Sequence, residues 1–303
     1  MGIDFKSLDE LRNYLTKAER IFGSPSFQQE AGVSQFQKNT FSDKFFHSTT
    51  GSNHALNFDG NFNPDGYLGQ AKLVQAYINK IGATRVLELA SGKGVNSFYL
   101  ARQNPNVTFV GIDLTPEHVK FSQSRAKDLF NLTFQQGNFQ DLQFQAASFE
   151  IVFEVESLCH STDMEKALHE VQRVLKPGGY FVVIEAFRSP RFETFSDDLK
   201  TAAKLSDVAM GIGNSWKIDE WQRLCEKIGF KIIECDDLSA AIMPNLLRFQ
   251  PLARGFFKFP KLTRMFLKTL PYSLIQSASL GSFTPFAVGA GLQHYYKIIL
   301  AHQ

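Results

Sequence analysis

The 303 residues carry 44% hydrophobic and 20% charged side chains with a net charge of +2 at pH 7, a balance that excludes disordered and collagen-like chains. The length exceeds the need of one parallel α/β sheet and favours a single enlarged domain over two separate ones. Cys159, Cys225 and Cys235 form no C-x-x-C pair and cannot all be bridged, so the expectation is reduced thiols, a cytoplasmic setting and no metal site.

Leu8, Leu11, Leu15 and Phe22 fall near helical spacing and predict an amphipathic helix over about Ser7–Phe22. No charged-then-apolar leader opens the chain, and Met1-Gly2 lacks the hydroxyl residue at position six of an acylation signal, so neither export nor acylation is expected. Gly23–Gly66, rich in Ser, Gly, Asn and Phe without a period, reads as loop placed to fold over a site.

Helix Gln70–Ile81 leads into Val86-Leu87-Glu88-Leu89, an apolar strand with an acid near its end, and then into the small-residue turn Ala90-Ser91-Gly92-Lys93-Gly94 that opens a helix. Small residues admit close backbone approach, and helix-start N–H groups face a polar or anionic ligand. Ser97 stands where a dinucleotide fingerprint has its third glycine. A carboxylate at Glu88 repels a pyrophosphate but suits a cation or an amino group, which favours S-adenosylmethionine over NAD.

Val107–Ile112 is the second strand, and Asp113 after it is suited to accept from two ribose hydroxyls. Thr115-Pro116-Glu117 then supplies an N-cap, a proline at the first helical position and a first-turn acid. A third strand near Leu132–Gln135 leads to Gly137-Asn138-Phe139, either an amide and ring at an adenine edge or a plain turn and a core ring. Arg173-Val174-Leu175-Lys176-Pro177-Gly178-Gly179 reads as a helix stop before the strand Tyr180–Ile184. Strand and helix alternate up to Glu185, implying a parallel sheet with ligands at the strand C-terminal ends. Ile218–Ile228 is a helix, Phe230–Cys235 the sixth strand and His294–Leu300 the last. The uncharged stretch Thr269–Gln293, interrupted by Pro271, Pro285 and glycines, reads as buried loop and short helix and not as a membrane span.

These segments resemble the class I S-adenosylmethionine-dependent methyltransferases from Val86 through Phe187, and more loosely to Asp237. The resemblance implies a Rossmann-like, mostly parallel seven-stranded sheet with helices on both faces and an antiparallel last strand. It carries cofactor-binding roles to Glu88, Ala90, Gly92, Gly94, Asp113, Leu114, Asn138, Phe139 and Glu154. Ala90 replaces the usual first glycine and still allows a tight turn if its φ is negative; Asn138 stands where the family mostly has aspartate.

Glu156-Ser157-Leu158-Cys159-His160-Ser161-Thr162-Asp163 is similar to a segment of the sterol and tocopherol C-methyltransferases, and to the Glu-Ser stretch of prenyl diphosphate C-methyltransferases. This implies catalytic roles for Glu156 and His160. Alkylating an alkene leaves a carbocation that must lose a proton, and a nearby carboxylate stabilises the one and accepts the other. The expected acceptor is small and mainly apolar, a prenyl-derived lipid or terpenoid precursor methylated at carbon; N- or O-methylation of another small metabolite is the rival. Glu154-Val155-Glu156-Ser157 stands where base-flipping methyltransferases commonly have an Asn-Pro-Pro-Tyr-like segment, so nucleic acid is not the expected partner.

The chain divides into an N-terminal helical arm and lid (1–66), a cofactor-binding core (67–237), a substrate cap (238–293) and a last core strand (294–303). Phe41, Phe45, Phe46, Phe58 and Phe62 are candidates to line an apolar pocket. Residues 238–303 hold seven basic side chains and no acid, a charge of +7 that leaves −5 for residues 1–237. Interleaved with large apolar residues, they predict a peripheral contact with anionic membrane, carried mainly by Arg254, Lys258, Lys261 and Arg264.

Overall fold

The computed structural model describes residues 5–22, 53–213, 215–267, 269, 270 and 272–302. Seven strands form one sheet: β1 (Arg85–Leu89), β2 (Thr108–Asp113), β3 (Leu132–Gln136), β4 (Phe149–Val155), β5 (Leu175–Arg188), β6 (Phe230–Asp237) and β7 (Gln293–His302). Their order is β3-β2-β1-β4-β5-β7-β6. The first five are parallel, and β7 runs antiparallel between β5 and β6. Strand order reverses between β1 and β4, where Leu89 pairs with Glu154. A crevice for ligands opens at the carboxyl ends of strands at such a switch point.

Alternation along the buried strands assigns each side chain to a face. Ile151 and Phe153 of β4 join Val182 and Ile184 of β5 in one core, covered by α2 (Gly69–Ile81) and α3 (Val95–Gln103). Val152, Phe181 and Val183 point the other way, onto α5 (Met164–Val174) and α7 (Ile218–Ile228). Between α3 and α5 lies α4 (Pro116–Arg125), which follows β2.

A third core is entirely helical. Leu11, Tyr14, Ala18 and Ile21 line one face of α1 (Phe5–Phe22), as helical spacing requires, and meet α6 (Asp197–Met210) and α11 (Tyr272–Gly289). The cap has three shorter helices as well, α8 (Ser239–Leu247), α9 (Gln250–Phe256) and α10 (Pro260–Phe266). The N-terminal arm is thus packed with the cap.

Two elements differ from the sequence expectation. Thr269–Gln293 is not loop and short helix: Tyr272–Gly289 is one helix of 18 residues with Pro285 inside it. Its hydroxyls find local partners, Ser282 donating to the Ala278 carbonyl at 2.8 Å and Thr284 to Ser206 Oγ at 3.1 Å. Gly281 allows close packing, since a Cβ there would lie 2.7 Å from the Phe249 carbonyl oxygen. Residues that argue against a helix in isolation are therefore its packing surface. The second difference is at Lys176-Pro177-Gly178-Gly179, which lies inside β5 as a bulge. Pairing jumps from Phe149–Leu175 to Ile151–Tyr180, with Gly178 at φ +77°. No described helix is long and apolar enough to cross a membrane.

Candidate active site

The β1 turn winds through three left-handed residues, Ala90 (φ +46°), Gly92 (φ +52°) and Gly94 (φ +77°). The condition of a negative φ at Ala90 is not met: the turn demands the left-handed region there, at about 1–2 kcal/mol for an L side chain. A Cβ on Gly94 would fall 2.4 Å from the Phe134 ring, so space and conformation both require glycine. At Gly92 a Cβ would meet nothing within 4 Å. The turn thus presents open space at the mouth of the crevice.

Glu88 is buried and spans from β1 to the start of α3. It accepts from Asn96 Nδ2 at 3.0 Å, from the Ser97 amide at 3.2 Å and from the Ser97 hydroxyl. Burial pushes its carboxyl up to about 7, outweighing the Ser97 and Asn96 donors that favour the charge. A cationic group brought near Glu88 would restore its negative charge. Ser97, the residue in place of a third glycine, is what anchors this acid.

Asp113, also buried, holds the neighbouring strand end to the turn. Its Oδ2 accepts from the Gly92 amide at 2.8 Å, while Oδ1 accepts from the Thr115 amide at 2.9 Å and lies 3.3 Å from His118 Nδ1. Leu114 beside it is 59% exposed, an apolar side chain displayed at a strand end. Asn138 is exposed, and its Oδ1 accepts from the Gln140 amide at 2.9 Å in an Asx turn. Phe139 packs against the core beneath that turn. These residues and Gly92 fit a cofactor with an amino group, a ribose and an adenine: buried acids stand at two adjacent strand ends, with an uncrowded glycine between them.

Across the crevice, Glu154 takes a different place from the one expected. It is wholly buried, and its Oε2 accepts from the Ser157 amide (3.0 Å), the Ser157 hydroxyl (2.8 Å) and the Leu158 amide (3.3 Å). Its observed partners therefore pin the turn after β4. Burial and the nearby Glu185 charge raise its pKa; Glu185, buried on β5, is raised for the first of those reasons.

Glu156 closes that turn in a left-handed conformation, φ +52°, a strain that marks functional turns. Its Oε1 accepts from the His54 amide and from the Tyr295 hydroxyl, both at 2.7 Å. His54 Nδ1 lies 3.0 Å from the same oxygen, an ion-pair distance without hydrogen-bond alignment. Burial alone raises the Glu156 pKa, but the charge and donors of His54 reverse this and hold it below the usual carboxylate range. His54 moves oppositely: burial lowers its pKa, and Glu156 raises it above the usual value. Among the described residues no donor binds Oε2. Gln70 completes the group, donating to Tyr295 Oη at 3.2 Å.

His160 lies at the rim; it is exposed, bonded to the backbone of Gly211, and within electrostatic reach of Glu156. Sequence reasoning missed His54, Gln70 and Tyr295, which lie 102, 86 and 139 positions from Glu156 and carry no shared motif. Phe58 is 69% exposed, and Phe62 sits beneath Arg248 at 4.3 Å. Phe41, Phe45 and Phe46, with the rest of the expected lid over 23–52, lie outside the described residues.

Residues 81–229 match the family model described as a methyltransferase domain. The match covers the stretch in which the sequence resembles the class I S-adenosylmethionine-dependent methyltransferases. It is 33% identical over 176 residues to an S-adenosyl-L-methionine-dependent Diels-Alderase of Talaromyces variabilis, a match covering 55% of this chain and 59% of that protein. It is 30% identical over 108 residues to a sterol 24-C-methyltransferase of Kluyveromyces lactis, covering 36% of this chain and 29% of that one. The chain thus spans less than two thirds of these relatives' lengths. Among solved structures, geranyl diphosphate methyltransferase in complex with GPP and sinefungin superposes with a TM-score of 0.67 at 14% identity, over 91% of this chain and all of that one. At that identity the likeness extends to the fold.

Proposed function

We propose that this protein methylates a carbon of a small, mainly apolar acceptor, a prenyl-derived lipid or terpenoid precursor. The observation that carries the reading is Glu156: a half-buried, charged carboxylate beside the cofactor crevice, with one oxygen locked by His54 and Tyr295 and the other free of described donors. Bound S-adenosylmethionine supplies an electrophilic methyl group. Glu88 and Asp113 would hold it at the ends of β1 and β2, Gly92 leaves the backbone open to its approach, Gly94 lets the turn pack on Phe134, and Leu114, Asn138 and Phe139 would border its base. Glu156 then stabilises positive charge developing on the acceptor and takes the proton at Oε2. Support for an apolar acceptor comes from the sterol methyltransferase relative.

A second reading is favoured by the relative from Talaromyces variabilis, named a Diels-Alderase. There the same crevice would fold a polyene into a ring, and no atom would leave the cofactor. Incubating cell extract with the protein and methyl-labelled S-adenosylmethionine, followed by mass spectrometry, separates the two. A labelled lipid-soluble product supports methyl transfer; an unlabelled isomer of unchanged mass supports cyclisation; a labelled polar metabolite or labelled RNA contradicts both.

A further inference from the structure

The cap has a surface that neither the core nor the crevice uses. α10 contains no buried residue. Phe259, Leu262, Met265 and Phe266 are 59%, 51%, 67% and 47% exposed, and steps of three and four place them in one stripe. Lys258 and Lys261, both exposed, precede the first two members of that stripe by one residue, so a cationic edge runs beside the apolar one.

The structure divides the basic residues into two kinds. Arg254 is bridged to Glu10 at 3.4 Å, and Arg264 Nη1 donates to the Arg20 carbonyl at 3.2 Å, so both fasten the cap to α1. Among the described residues, Lys258 and Lys261 have no acidic partner. Lys258 only leans over the Phe259 ring, at 5.4 Å.

Single exposed apolar side chains are ordinary, whereas a continuous stripe of four beside unpaired ammonium groups marks an interface. The charge identifies the partner. Lys258 and Lys261 stand beside the stripe without a carboxylate among the described residues, and the segment from 238 onward contributes no acid of its own, which complements an anionic surface. Aromatic and thioether side chains settle at the boundary of headgroups and acyl chains while lysines reach lipid phosphates. Since no described helix can cross a membrane, the contact is peripheral.

We propose that Lys258–Phe266 is an interfacial anchor that seats the cap on an anionic lipid bilayer, with Phe259, Leu262, Met265 and Phe266 entering the headgroup boundary and Lys258 and Lys261 meeting phosphates. This holds whatever reaction the crevice performs. Flotation of the full chain with vesicles of phosphatidylcholine alone, and of phosphatidylcholine and phosphatidylglycerol in equal parts, tests it. The protein floats with the anionic vesicles at low salt, and added salt weakens the association. Lys258→Gln with Lys261→Gln lowers the partition coefficient about thirtyfold. Leu262→Ser with Met265→Ser abolishes flotation without lowering the unfolding temperature. Absence of the unaltered protein from anionic vesicles, or equal flotation of both double variants, overturns the proposal. So does a dimer in sedimentation that Leu262→Ser with Met265→Ser dissolves while vesicles remain unbound, since the stripe would then pair two copies of the chain.

Discussion

Glu156 is useful only in the ionisation state that His54 imposes on it. Replacing Glu156 with Gln retains the shape of the side chain and removes the charge, so turnover of the labelled acceptor falls by about 10²–10⁴ while S-adenosylmethionine affinity stays within a few fold. His54→Gln keeps the backbone donor and removes the imidazolium; the acid limb of the pH–rate profile then moves upward as the Glu156 pKa relaxes towards and above its usual value. An unchanged limb would remove His54 from that role. Glu88 titrates in the opposite sense. Its folded pKa of about 7 lies above the ordinary 4.5, so the folded state holds a proton the unfolded chain releases, and stability falls as pH rises between those values. Binding a cationic amino group reverses the shift. S-adenosylmethionine affinity therefore increases from about pH 6 to pH 8, and Glu88→Gln flattens the dependence, as calorimetry across that range will show. At this scale the sequence was legible where neighbours in the chain make the chemistry, as at Glu88-to-Gly94 and at Asp113. It was silent on His54 and Tyr295, because the sheet alone brings residues from the lid and the last strand to Glu156.

Elements show the same division. The strands and most helices were legible because each carries its period and its caps locally: Pro116 opens α4 and Gly229 closes α7 in the left-handed conformation. Thr269–Gln293 was misread, since prolines, glycines and serines count against a helix until a neighbouring helix covers them. What attaches the helical layer to the sheet is a buried polar joint. Asp207 of α6 pairs with Arg188 of β5, and accepts from Ser215 Oγ at 2.7 Å and Gln293 Nε2 at 3.1 Å. Arg188 lies 4.0 Å from the centre of the Phe192 ring and is nearly buried. Asp207→Ala leaves that guanidinium unpaired and costs about 3–5 kcal/mol, measurable as a lowered urea midpoint with an unchanged slope. A loss below about 1 kcal/mol would mean that the apolar contacts of the layer hold it without the joint.

Over the whole molecule, a parallel sheet with one antiparallel strand brings together the β1 turn, the Asp113 end of β2 and the Glu156 turn after β4, while the cap and arm form one helical layer. Sequence periodicity yields the sheet and its switch point; the union of arm and cap depends on contacts between α1 and residues some 250 positions later, which no local pattern encodes. The central claim is that the crevice between β1 and β4 is an S-adenosylmethionine site held by Asp113. Isothermal calorimetry on the protein and on Asp113→Ala, with thermal unfolding to establish that both are folded, tests it most directly. The expected result is S-adenosylmethionine binding that weakens about ten- to a hundredfold in the variant, the loss of a hydrogen bond to a charged group. Unchanged affinity in a folded Asp113→Ala, or tighter binding of NADH than of S-adenosylmethionine by the unaltered protein, would contradict it.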